Sequence, residues 1–71
     1  MRRKINGYIL QFTRGDHEGT HIHVYLHDRE IGVYDATVGP VRGLEKVMNA
    51  QLRAALKQFI YELNERGLFR R

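Results

Sequence analysis

Apolar and polar residues alternate with a period of two through the first half of the chain and repeat at the helical period in the second half, which predicts strands followed by a helix. Tyr8, Leu10 and Phe12 fall on one face of a strand running from Ile5 to Phe12, with Gly7, Ile9 and Gln11 on the other. Thr13-Arg14-Gly15-Asp16 supplies residues suited to the turn that ends it. A second strand, His21 to His27, sets Ile22, Val24 and Leu26 against His21, His23, Tyr25 and His27, and a third, Glu30 to Ala36, carries Ile31 and Val33. With Asp28-Arg29 as the connecting turn, Leu26 faces Ile31, Val24 faces Val33 and His23 faces Tyr34. Neither turn residue is glycine, so a longer loop is the alternative.

Gly39-Pro40-Val41-Arg42-Gly43 breaks this pattern, and Leu44, Val47 and Met48 suit a short helical turn over the core. Leu52, Ala55, Leu56, Phe59, Ile60 and Leu63 then mark one face of a long helix. Asn49 is suited to cap its start, Gly67 to end it with Leu68 touching Leu63, and Glu62 precedes Arg66 by the favourable four residues. The fold expected is α+β, a βββα chain with a three-stranded antiparallel sheet, one long C-terminal helix packed on one face, and the histidine-bearing face open. A bare edge of such a sheet is suited to pairing with a second copy as a homodimer. Residues 1–71 read as a single domain, with no repeat or linker.

A chain of 71 residues buries only about 60% of its unfolded surface, so a stability of about 4–10 kcal/mol is expected. There is no cysteine, hence no disulfide framework or thiolate zinc site. No apolar run approaches the roughly 18 residues of a membrane span, and the expected setting is cytoplasmic, without membrane attachment. The net charge is +4, with basic residues toward both ends and Asp16, Glu18, Asp28, Glu30 and Asp35 beside the histidines. A positive surface favours phosphate backbones or acidic proteins, although the same charges also serve as a solubilising surface.

All four histidines lie between His17 and His27. An imidazole titrates near neutrality, with an unperturbed pKa of about 6.5, and is suited to moving protons or, when neutral, to holding a metal. His21 is the candidate catalytic residue for cleavage of RNA, with His23 or His17 assisting. The nucleophile is then the ribose 2′-hydroxyl, so positioning and acid–base groups suffice and no cofactor is needed. Tyr25 and Tyr34 are candidates for stacking bases, and Arg53, Lys57, Arg42 and Lys46 for holding the backbone. Two other readings stand beside this one: a non-catalytic module that binds nucleic acid or protein, and a metal site built from His17, His21 and His23. Ordinary cross-strand pairing and a solvated helix face account for the same residues without any function.

Asp16-His17-x-x-x-His21-x-His23-Val24 resembles the D-H-x-P-P-H-x-H-V signature of a small bacterial family of unknown function, with Gly19-Thr20 in place of Pro-Pro. Members of that family resemble toxin components, which implies a cognate antitoxin protein as partner. Gly19-Thr20-His21 and Leu52-Arg53-x-x-Leu56-Lys57-Gln58 are similar to the G-S-H and L-R-x-x-L-K-Q motifs of HicA-type messenger-RNA interferases, which have a double-stranded-RNA-binding-like fold. That resemblance implies an endoribonuclease with His21 as its catalytic histidine.

Overall fold

Asn6 and Gly7 both have positive φ, 55° and 87°, and reverse the chain in two residues, so the expected first strand is a hairpin. In the computed structural model, which describes residues 1–12 and 21–67, β1 (Arg2–Ile5) pairs with β2 (Tyr8–Gln11) and Ile5 stands opposite Tyr8. Ile5 thereby joins Tyr8, Leu10 and Phe12 in the core instead of lying on the face of Ile9. The expected turn at residues 13–16 lies outside the described residues.

The next reversal uses His27 and Asp28, at φ 53° and 64°, in place of Asp28-Arg29. Histidine and aspartate are among the non-glycine residues that tolerate this left-handed region best. β3 (His21–Leu26) and β4 (Arg29–Asp35) therefore begin with Leu26 opposite Arg29 and Tyr25 opposite Glu30. A bulge between Val24 and Tyr25 takes up one residue of β4, after which Val24 faces Gly32, His23 faces Val33, Ile22 faces Tyr34 and His21 faces Asp35. The register differs from the expected one, and Tyr34 moves to the face opposite the histidines.

The segment read as breaking the sheet adds another strand, β5 (Gly39–Val41), with Pro40 opposite Tyr34. Proline donates no hydrogen bond, so the sheet accommodates it at an edge, where one side of the strand has no neighbour among the described residues. The architecture is thus an antiparallel meander of five strands in the order β1-β2-β3-β4-β5, not the three-stranded sheet expected, and it remains α+β.

A 3₁₀ turn (Leu44–Lys46) and α1 (Ala50–Glu65) cover one face of the sheet. Leu52, Ala55, Leu56, Phe59 and Leu63 of α1 pack with Leu10, Phe12, Ile22 and Val24 of the sheet side, while Ile60 is partly buried. Leu44 seals the core over Gly32. At the helix start Asn49 is extended and its Oδ1 accepts from the Leu52 amide at 2.8 Å. Its Nδ2 donates to the Tyr8 hydroxyl at 3.3 Å. Asn6 of the first turn reaches the Gln51 carbonyl at 3.0 Å and fastens the β1–β2 hairpin to the same helix end. Asn49→Ala is expected to lower stability by about 1 kcal/mol and Asn49→Asp, which keeps the cap acceptor, much less; thermal melts of the two variants check this.

At the other end Gly67 has φ 68°, and its amide bonds to the Asn64 carbonyl. Leu68 lies outside the described residues. Glu62 does not pair with Arg66; its carboxylate is held by Arg3 of β1 and, at 3.1 Å, by Gln58.

Candidate functional site

The face of the sheet turned away from α1 carries His21, His23 and Tyr25 of β3, because their neighbours Ile22 and Val24 point into the core. The register adds Arg2 and Lys4 from β1, Ile9 and Gln11 from β2, and Asp35 and Glu30 from β4. Each described strand histidine on this face meets its own carboxylate. His21 Nε2 lies 3.0 Å from Asp35 Oδ2, directly across the β3–β4 pair. His23 Nδ1 lies 3.1 Å from Glu30 Oε2, a diagonal contact, since Glu30 stands opposite Tyr25.

These contacts fix which nitrogen faces outward. An ionised carboxylate only accepts, so the imidazole nitrogen beside it donates. His23 therefore donates through Nδ1 and, when neutral, keeps its lone pair on Nε2; His21 holds Nε2 beside Asp35 as a close charge contact and turns Nδ1 away from it. The two rings sit two residues apart on one strand, roughly 7 Å along it. They offer opposite nitrogens, and both remain accessible, at 42% and 38% exposure.

Asp35 is the better held of the two carboxylates. Its Oδ1 accepts from the amides of Thr37 at 2.8 Å and Val38 at 3.3 Å, so the same side chain builds the β4–β5 turn and places a charge beside His21. Only 15% of its side chain is exposed, against 40% for Glu30. Composition places Asp35 and Glu30 near the histidines, but their partnership with them depends on the bulged register, which alternation alone does not reveal.

Tyr25 is covered on one side by Arg2, whose guanidinium carbon lies 5.6 Å from the ring centroid and which also bonds Gln11. Arg2 and Lys4 are thus cations on the histidine face of the sheet, a contribution that the alternation from Ile5 to Phe12 does not reveal. The proposed base- and phosphate-binding residues divide. Tyr34, Arg53 and Lys57 come together, but on the helix side of the sheet, where they line a groove of about 540 Å³. Arg42, at φ 55° just after β5, and Lys46, in the 3₁₀ turn, are exposed and belong to neither cluster.

His17, together with Gly19 and Thr20 of the two sequence motifs, lies outside the described residues. His27 is spent on the β3–β4 turn. Among the described residues no three histidine or acidic side chains stand together as a metal centre requires. Nor, among them, is any helix long and apolar enough to cross a membrane. Comparisons with protein-family models, with curated proteins and with solved structures return no match to this chain.

Proposed function

We propose that this chain is an RNA-directed, toxin-like endoribonuclease of the cytoplasm that cleaves without a metal, with His21 and His23 as its acid–base pair. The observation that carries the reading is the pair of half-exposed imidazoles on one face of the sheet, each beside its own carboxylate and presenting opposite nitrogens. One neutral ring takes the proton from a ribose 2′-hydroxyl as that oxygen attacks phosphorus. The other, as imidazolium, gives a proton to the departing 5′-oxygen, leaving a 2′,3′-cyclic phosphate and a 5′-hydroxyl. Arg2 and Lys4 on the same face supply positive charge to the phosphate.

A cognate antitoxin as partner rests on the resemblance of the Asp16-to-Val24 motif alone. Pairing of two copies through a sheet edge finds little support: β1 presents Arg2, Arg3 and Lys4, and β5 contains Pro40, both features that discourage strand addition.

Structured and unstructured RNA incubated with the protein, with and without EDTA, tests the reading. Cleavage that survives EDTA and leaves cyclic-phosphate ends is expected. Cleavage abolished by EDTA would replace the imidazole pair by metal chemistry. Salt-dependent binding with no cleavage would make the chain a binding module instead.

A further inference from the structure

The groove on the helix side is remote from the histidines and has a chemistry of its own. Its floor is aliphatic, formed by Pro40 of β5, Met48, and Leu56 and Ile60 of α1, and Arg53 and Lys57 stand beside it. Both cations are exposed, and among the described residues neither has an acidic partner. We propose that this groove docks an acidic amphipathic helix of a protein partner, apolar side chains on the floor and carboxylates on Arg53 and Lys57.

Three observations select that occupant. The charge beside the floor is purely positive, so an acidic segment complements it and a basic one is repelled. The edge strand beside the groove has only three residues and includes Pro40, which lacks an amide proton, so an extended peptide gains few main-chain bonds there; a helix needs none. Arg53, Lys57 and Tyr61 follow one another at four-residue intervals along α1, and Tyr61 is 63% exposed. The stripe from Arg53 to Tyr61 covers roughly 12 Å of helix axis, enough to seat about two turns of a partner helix with anchors at i, i+4 and i+7.

A nucleic acid fits less well. Tyr34, the aromatic ring of the groove, packs against the core, so it is no free stacking platform. An aliphatic floor with two cations also offers no track for a phosphate backbone. Met48 adds a flexible, polarisable side chain of the kind that adapts to apolar knobs. The proposal depends on the groove alone and is independent of the ribonuclease reading.

The test is selection of a display library of randomised 16-residue helical peptides on the full chain, followed by fluorescence anisotropy of the winners. Enriched peptides are expected to share apolar residues at i, i+4 and i+7 with flanking Glu or Asp. The double variant Arg53→Glu/Lys57→Glu, both positions exposed, is expected to weaken their binding about tenfold or more, with an unchanged circular dichroism spectrum. Selection repeated on that variant should keep the apolar spacing and exchange the acids for Lys and Arg. No enrichment, enrichment without acidic bias, or indifference to the double variant would overturn the proposal. Displacement of the winners by a 20-nucleotide single-stranded RNA, with RNA binding lost in the same variant, would overturn it in favour of a nucleic-acid surface.

Discussion

Gly32→Ala is expected to destabilise the protein by about 3 kcal/mol or more, a large part of the roughly 4–10 kcal/mol available to a domain this small. A Cβ at position 32 would lie 2.5 Å from the backbone nitrogen and Cβ of Leu44 and 2.7 Å from its Cα. Those are not the far atoms of a side chain that can swing aside. They belong to the 3₁₀ turn, whose Leu44 is fully buried over the sheet. Overpacking costs about 1–3 kcal/mol, and the φ of 155° at Gly32, which side-chain-bearing residues rarely adopt, adds about 1–3 kcal/mol.

The measurement is a urea transition. With a slope of about 1 kcal/mol per molar for a chain of this size, the midpoint should fall by roughly 3 M. Trimming Leu44 to alanine in the same protein should give no rescue, because its nitrogen and Cα remain in place. A shift smaller than about 0.5 M would mean that the 3₁₀ turn rides freely on the sheet.

Gly32 also illustrates what the linear pattern conceals. α1 is legible because its buried residues recur at the helical period over about three turns and Asn49 and Gly67 punctuate its ends. The alternation of β3 is equally plain, and it correctly separates Ile22 and Val24 from His21 and His23. Two of the sheet's other boundaries, β1–β2 and β3–β4, are set by turns that span only two residues. Asn6-Gly7 is a strong hairpin signal, yet the residues on either side keep enough alternation to read as one strand through it. Pro40 argues against a strand until its edge position is known.

The candidate site inherits the same division. Its histidines stand out by their clustering, whereas their carboxylate partners and Arg2 emerge only from the pairing of strands. A single bulged residue in β4 decides that Asp35 stands opposite His21; without it the register set by the turn would place Tyr34 there instead. The helix motif Leu52-Arg53-x-x-Leu56-Lys57 is likewise visible in sequence, but its two cations serve the far side of the sheet from the histidines. Spacing along a chain assigns residues to faces within one element; which faces of different elements meet is decided by the turns.

His21→Ala should reduce RNA cleavage by about 10²–10⁴-fold if His21 is an acid–base catalyst, with the sheet intact because the side chain is half exposed. That loss alone does not distinguish chemistry from substrate binding, and Asp35 separates them. In Asp35→Asn an amide oxygen at Oδ1 can still accept from Thr37 and Val38, so the β4–β5 turn is retained. The neutral amide then replaces the carboxylate 3.0 Å from His21 Nε2 and removes the negative charge that favours a proton on that nitrogen. Cleavage should fall by about tenfold or more through kcat, while RNA affinity changes little. Asp35→Ala would lose the turn contacts as well and is expected to lower stability in addition. If both His21→Ala and Asp35→Asn cleave at the parental rate, the open face is not the active site. If both weaken binding without touching kcat, the imidazoles hold RNA and do not move its protons.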